Sequence, residues 1–209
     1  MSDHDTPPPG AMHAPHTLRN RDPILAVLRR ALADATAVLE IGCGSGEQAP
    51  YFAAALPHLR WLPADYDAVA VASATAWRNA SDCANLLAPI RLDVTGADWP
   101  LPAGFTPDAI VAINMIHISP FAACEGLMTG AGTRLPTGGT LILYGPYKIA
   151  GAHTAPSNAM FDQNLRARDP QWGIRDLEAV IDLARRHGLS HVDTLTMPAN
   201  NLAPIFRKD

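Results

Sequence analysis

The sequence predicts an α/β, Rossmann-like protein with a mostly parallel sheet, crossover helices and a C-terminal antiparallel strand pair. Three observations carry this. Short apolar runs alternate with helical patterns, the order of a parallel sheet whose strands are joined by helices. The run over residues 109–113 is continuously apolar, as a strand covered on both faces must be. Finally, Glu40-Ile41-Gly42-Cys43-Gly44-Ser45-Gly46 follows Val38-Leu39 and precedes a helical stretch, which is the strand–turn–helix junction of a nucleotide-type site.

The elements follow in order. Residues 1–17 are polar and proline-rich and read as a disordered tail, leaving 18–209 as one domain. A leading helix spans 23–33, with Asp22 as its N-cap and Pro23 at the first helical position. The first strand covers 38–41 and its helix 48–56; the second strand, 59–62, ends near Asp65, and an alanine-rich helix covers 68–80. Strand three (90–92) ends at Asp93 and strand four (109–113) is followed by a helix over 122–135; strand five is 140–144. A helix over 175–187 stops at Gly188, and two apolar stretches, 192–195 and 203–206, form the closing pair. Between them, 145–173 is a long polar insertion at the carboxyl edge of the sheet, where open α/β sheets bind ligands. It reads as a substrate lid.

Composition narrows the partners. At 209 residues and 48% hydrophobic content the chain can bury a full core. A net charge of −4 gives no electrostatic footprint for nucleic acid or anionic membrane, and no apolar run approaches bilayer length. Three cysteines without C-x-x-C spacing fit neither a disulfide framework nor a zinc site, so a cytoplasmic protein without a bound metal is expected. Tail histidines His4, His13 and His16 read as solvated.

The glycine turn admits several cofactors. Gly44, Gly46 and Ala49 satisfy the loose dinucleotide pattern, whereas Glu40, Gly42, Gly44 and Gly46 together match the E-x-G-x-G-x-G loop of S-adenosylmethionine (SAM) methyltransferases. Cys43 occupies a turn position that needs a small residue. Asp65, nineteen positions after Gly46, suits the two hydroxyls of an adenosine ribose, with Asp67 as competitor; this serves NAD as well as SAM. Asp93 stands where a methyltransferase meets the adenine amino group.

Strand four ends in Asn114-Met115-Ile116-His117-Ile118-Ser119-Pro120, beside the transferred methyl group in such a fold. The segment lacks the Pro-Pro of amine-orienting enzymes and the carboxylates of metal-dependent ones. His117 is a candidate general base, since imidazole titrates near working pH and a neutral nucleophile must lose a proton. It equally suits a helix cap or a bond to a backbone carbonyl. Tyr147 and His153 are further candidates of the same kind. Asn158, Asp162 and Trp172 belong to the insertion that would line an acceptor pocket.

These residues resemble the DUF938 family of methyltransferase-like proteins. The resemblance rests on Arg19-Asn20-Arg21-Asp22-Pro23-Ile24-Leu25, Leu59-Arg60-Trp61-Leu62-Pro63-Ala64-Asp65, Leu92-Asp93-Val94-Thr95 and the Asn114–Pro120 segment. It also rests on Leu143-Tyr144-Gly145-Pro146-Tyr147, Ser157-Asn158-Ala159-Met160-Phe161-Asp162, Asp169-Pro170-Gln171-Trp172-Gly173 and Met197-Pro198-Ala199-Asn200-Asn201. It implies a seven-stranded class I SAM-methyltransferase fold. It implies also that Arg19 and Asn20 close over the cofactor, and that Cys43, Val94 and Asn114 join Glu40, Gly42, Gly44, Gly46, Asp65 and Asp93 in holding it.

The resulting expectation is a SAM-dependent methyltransferase, monomeric or homodimeric, acting on a small-molecule nucleophile (O, N or S) and releasing S-adenosylhomocysteine. The alternatives are an NAD(P)-dependent oxidoreductase and a non-catalytic SAM-fold binding or scaffold protein.

Overall fold

The computed structural model describes residues 7–209. In chain order the elements are α1 (Pro15–Ala31), β1 (Ala37–Ile41), α2 (Gln48–Ala55), β2 (Arg60–Asp65), α3 (Ala68–Asn79) and β3 (Ile90–Arg91). Then come β4 (Ala109–Ile113), α4 (Phe121–Arg134), β5 (Thr140–Pro146), β6 (Lys148–Ile149), β7 (Ala152–His153) and α5 (Pro156–Arg168). The chain closes with α6 (Leu177–Arg186), β8 (Leu189–Met197) and β9 (Asn201–Lys208). A seven-stranded sheet has the order β3-β2-β1-β4-β5-β9-β8, and β6 and β7 form a separate hairpin. The pairs β1/β2, β2/β3 and β4/β5 are parallel, while β9 runs antiparallel to both β5 and β8. The chain divides into two compact units, one ending at residue 93 and including 100–108, the other made of 94–99 and 109–209.

In the first unit, β1 is buried at every position, yet it carries Glu40. The parallel register sets Glu40 opposite Pro63 and Val38 opposite Trp61, and the Trp61 indole N–H donates to Glu40 Oε2 at 2.8 Å. The start of β1 is clamped by the Asp108 carboxylate, which accepts from the Thr36 and Ala37 N–H groups at 2.8 and 2.9 Å. A single amide, Asn85 Nδ2, donates to the carbonyls of Ala53, Leu56 and Leu59, satisfying the end of α2 and its exit turn.

In the second unit, β4 is buried over residues 109–112, as its apolar run predicted, and β5 is buried along Thr140–Pro146, two residues beyond the expected strand. Helix α4 holds glycines where side chains would collide. A Cβ on Gly126 would lie 2.4 Å from Val94 O, and one on Gly130 would lie 1.9 Å from the Trp99 ring. Glycine inside a helix costs about 1 kcal/mol against alanine, which close approach to the 94–99 segment offsets.

Several boundaries differ from the sequence reading. Helix α1 begins at Pro15, with Pro23 in its interior, because Asp22 is not a cap: its carboxylate accepts from the Tyr51 hydroxyl. The stretch expected as tail up to residue 17 therefore includes the first turn of α1 and an ordered approach to it; residues 1–6, with His4, lie outside the described residues. The insertion at 145–173 contains the β6–β7 hairpin and α5. The closing strands are longer than their apolar cores: β8 is buried at its two ends, Leu189 and Met197, and exposed over residues 190–193. Among the described residues, no helix is long and apolar enough to cross a membrane.

Two outcomes follow for stability. Burial pushes the Glu40 carboxyl up to about 7, opposed by the Trp61 hydrogen bond and assisted by the charge of Asp65. A raised acid favours the folded state when protonated, so its contribution is complete below about pH 4.5 and is lost as pH rises through about 7. Glu40→Gln removes this dependence: denaturant titrations from pH 5 to 8 should show wild type losing about 3 kcal/mol relative to the variant. A pH-independent difference would contradict the assignment. Separately, Gly130→Ala should destabilise by about 1–3 kcal/mol through overpacking against Trp99, while exposed Thr129→Ala on the same helix stays within about 0.5 kcal/mol. Equal melting temperatures for the two variants would refute the close-packing account.

Candidate active site

The glycine turn is built by backbone bonds. The N–H groups of Gly42 and Cys43 both donate to Ala64 O, at 2.8 and 3.1 Å, and the Gly46 N–H donates to Cys43 O at 2.9 Å. Gly44 has φ +57°, and a Cβ built there meets nothing within 4 Å, so backbone is open to a ligand at this position. Gly46, at φ +78°, serves packing instead: its Cβ would lie 2.3 Å from the Ala74 backbone in α3.

The tip of β2 meets this turn. Asp65 Oδ2 accepts the Gly44 N–H at 2.9 Å, and Oδ1 accepts the Asp67 N–H at 3.0 Å. Asp67 caps α3 by accepting the Val69 N–H at 2.9 Å, which separates the two competing acids by role. Glu40 lies buried beneath the turn on Trp61. Cys43 is buried too, and burial, with the charges of Glu40 and Asp65, pushes its thiol well above the ordinary range. It is a packing residue rather than a nucleophile. Asp93 is exposed and follows Leu92, whose N–H donates to Asp65 O at 2.8 Å. Val94 is buried with its carbonyl against Gly126 of α4, which assigns it to packing.

An N-terminal strap, absent from the sequence reading, holds the turn and the start of α2. Met12 N–H donates to Ser73 Oγ at 2.8 Å, and the Ser73 hydroxyl donates to Ser45 O at 2.6 Å. Trp77 Nε1 donates to Met12 O, His13 Nδ1 lies 2.8 Å from Glu47 Oε2, and Ala14 N–H donates to Glu47 Oε1. His13 is thus engaged where a solvated residue was expected. Arg19 is exposed and Asn20 half-buried on α1, and Gln48 Nε2 ties that helix through Thr17 O at 3.1 Å.

In the second unit the end of β4 makes a tight turn. Asn114 adopts the left-handed region at φ 59°, rare for a side chain, and leads into a 3₁₀ turn over Met115–His117. His117 is fully buried; its Nδ1 faces the Arg175 N–H at 3.3 Å, and its carbonyl accepts the Gly173 N–H at 3.0 Å. The Arg175 guanidinium donates to Ile116 O and Ser119 O at 2.9 and 2.6 Å, holding the whole turn. Tyr147, also fully buried, meets His117 edge-on at a ring separation of 4.9 Å. Neither His117 Nε2 nor the Tyr147 hydroxyl has a hydrogen-bond partner.

This geometry changes the reading of His117. Burial and then the Arg175 charge push its imidazole down to about 3, with Asp162 and the Gly173 bond pulling the other way. The Nδ1 lone pair is also occupied by a backbone donor. A ring so placed is a poor proton acceptor at neutral pH. Tyr147 is likewise kept neutral, its phenol raised well above the ordinary value by burial and by Cys124.

A second cluster centres on Asp162 of α5, which is buried and contacts Lys148, His153 Nε2 and Arg166 Nε, each at 3.3 Å. It also accepts the Ile174 N–H at 2.7 Å. Burial works to raise this carboxyl, but the Ile174 bond, Lys148 and Arg166 hold it below its ordinary value. Asn158 is buried one turn earlier, donating to Thr154 Oγ1 and Asn200 O at 3.0 Å each. Trp172 stands apart, half-buried with Arg168 over its ring at 5.2 Å.

The expected residues therefore form two sets. Glu40, Gly42, Cys43, Gly44, Gly46 and Asp65 gather in the first unit with Asp93 beyond β3, and His117 and Tyr147 gather in the second near the Asp162 cluster. The sequence reading missed Lys148, Arg166 and Arg175 as site residues, because isolated cations in a polar stretch carry no periodic signal. It missed the strap because proline-rich polar composition resembles an unstructured tail.

Known proteins share this architecture. PigF, solved with SAH, superposes with a TM-score of 0.75 at 18% identity, over 89% of this chain and 55% of that one. An O-methyltransferase family 2 protein from Planctomyces limnophilus, in complex with apigenin, gives 0.79 at 19% identity, over 93% and 58%. Human N-acetylserotonin methyltransferase in complex with SAM gives 0.69 at 16%, over 88% and 52%. The chain spans little more than half the length of these structures, and the likeness establishes the class I SAM-methyltransferase fold. Over residues 11–208 the sequence matches the family described as "Protein of unknown function (DUF938)", and the chain belongs to the DUF938 family.

Proposed function

We propose that this chain is a SAM-dependent methyltransferase acting on a small-molecule nucleophile. One observation carries the cofactor side. Asp65 presents a carboxylate at the tip of β2, hydrogen-bonded to the Gly44 N–H of a turn that is open to a ligand at that glycine. An adenosine ribose would exchange its hydroxyls for that N–H on the carboxylate, while Gly42, Gly44 and Gly46 let backbone approach the cofactor. In this reading Glu40 supports, with the glycines, the methionine end and ribose side, Asn114 faces the transferred methyl group, Asp93 takes the adenine, and Arg19 and Asn20 close over the cofactor. Cofactor bound there supplies an electrophilic methyl group; the chain's task is to orient both partners and exclude water.

SAM is favoured over a nicotinamide by the antiparallel β9, which departs from the mostly parallel dinucleotide-binding order. The SAH and SAM complexes of PigF and N-acetylserotonin methyltransferase point the same way, and the apigenin complex supports a small-molecule acceptor. Residues 18–209 work as one catalytic domain in this reading. Residues 145–173 act as its lid, contributing Tyr147, His153, Asn158, Asp162 and Trp172 to the acceptor side. The Asp162–Lys148 ion pair and the Asp162–His153 contact join the β6–β7 hairpin to α5 and support such a lid. The three free cysteines support a reducing, cytoplasmic setting, and the reading takes the protein as a monomer or homodimer. His117 contributes by donating a hydrogen bond; its occupied Nδ1 does not favour the general-base role.

Calorimetry with SAM, S-adenosylhomocysteine and NAD(P)H tests the cofactor assignment. Saturable binding of the two adenosyl sulfur compounds is expected; tight nicotinamide binding without them would sink the proposal. Asp65→Ala should weaken S-adenosylhomocysteine about 10–100-fold, the loss of one or two hydrogen bonds to a charged group. Unchanged affinity in a folded variant would remove Asp65 from the cofactor site.

A further inference from the structure

Among the described residues, the second unit leaves four buried polar atoms without partners, Arg134 Nε, His153 Nδ1, His117 Nε2 and the Tyr147 hydroxyl, and the last two are hydrogen-bond donors on fully buried side chains. The Arg175 N–H on Nδ1 fixes the His117 tautomer, so the ring proton sits on Nε2. That N–H and the Tyr147 hydroxyl are unpartnered on fully buried side chains whose rings stand 4.9 Å apart. Glycine is required at 145 beside the imidazole edge: a Cβ there would lie 2.6 Å from His117 Nε2 and 3.1 Å from Asn114 Oδ1. An unsatisfied buried donor costs about 1–3 kcal/mol, a burden that native structures concentrate at functional sites. The surroundings are cationic, with Lys148, Arg166 and Arg175 set against Asp162, in a chain whose net charge is −4.

We propose that His117 and Tyr147 form a neutral donor pair for an oxygen of the methyl acceptor, and that the acceptor is a carboxylic acid released as its methyl ester. This rests on the methyltransferase reading above. Two donors and excess positive charge select an anionic, lone-pair-bearing oxygen. An amine would set N–H against N–H and add positive charge. Thiols and phenols, with ordinary pKa values of about 8.5 and 10, arrive protonated, and the donor pair takes no proton from them, because His117 Nδ1 is occupied and Tyr147 is a neutral phenol. A carboxylic acid, at about 4, arrives already ionised. Its oxygen lone pair forms the bond to the methyl carbon as the sulfur–methyl bond breaks and that electron pair returns to sulfur. Sulfonium becomes thioether, carboxylate becomes ester, and no proton is released. Arg175 is a positioning residue, acting through the tautomer it imposes. Both rings are closed off, so an acceptor enters by a local opening, and the Asp162 contacts that join the hairpin to α5 are the place for it in this proposal.

Nitrogen NMR of ¹⁵N-histidine-labelled protein tests this without turnover, with His117→Ala identifying the resonance. His117 should stay a neutral Nε2–H imidazole from pH 5 to 8. Benzoate or octanoate should shift its signal saturably, benzylamine and octylamine should not, and Tyr147→Phe should raise the acid's Kd about 10-fold. An Nδ1–H tautomer, titration within that range, a response to the amines, or no response to either acid overturns the proposal. The same acids incubated with SAM should yield methyl esters by mass spectrometry; methylation of the amines instead also overturns it. Failure of S-adenosylhomocysteine to bind in calorimetry would sink the methyltransferase reading separately, leaving the donor pair to be judged by NMR.

Discussion

Strands β1 and β5 are buried along their whole length and β4 nearly so, and this confines polar chemistry to their ends. A polar side chain inside such a strand must find a partner or carry a desolvation penalty. Glu40 is the exception within β1, and the Trp61 indole N–H is its partner. Every other polar group discussed for the site lies at a strand tip, in the turn that follows one, or on a segment packed there. The sheet therefore fixes where ligands can be recognised before any particular residue is considered.

At the first of these ends, one carboxylate does two jobs. Asp65 receives N–H groups from Gly44 and Asp67, so the turn and the exit of β2 are held at a set distance. The N-terminal strap adds a second restraint through Ser73, Glu47 and Gln48. Both hold backbone in place while leaving Gly44 uncovered on its outer side. Preorganisation of this kind lowers the entropy a ligand must remove on binding.

At the second end the logic is electrostatic. Asp162 is buried and surrounded by cations, so it holds the hairpin and α5 together without leaving a net negative centre. His117 and Tyr147 lie where ionisation is strongly disfavoured, and each stays neutral for the same reason, burial. Low dielectric makes their unpaired donors a stronger recognition element than the same groups would be in water.

The sequence by itself determined the α/β class, the glycine turn, the acids at the ends of β2 and β3, and the closing antiparallel pair. These depend on local periodicity and on residue types that tolerate few backbone conformations, so a short window suffices to read them. It also marked Asn114, His117 and Tyr147 as site candidates, through their place after a buried strand. Their roles were not legible. Whether His117 Nε2 accepts or donates a hydrogen bond depends on the N–H of Arg175 at its Nδ1, a residue 58 positions away. Which of Asp65 and Asp67 faces the turn was decided by the helix cap that Asp67 makes. The start of α1 at Pro15, the hold of Met12 and His13, and the gathering of Lys148, His153 and Arg166 on Asp162 likewise come from contacts between distant segments. Only tertiary structure decides these, because burial and pairing, which set protonation and polarity, are properties of a neighbourhood rather than of a position in the chain.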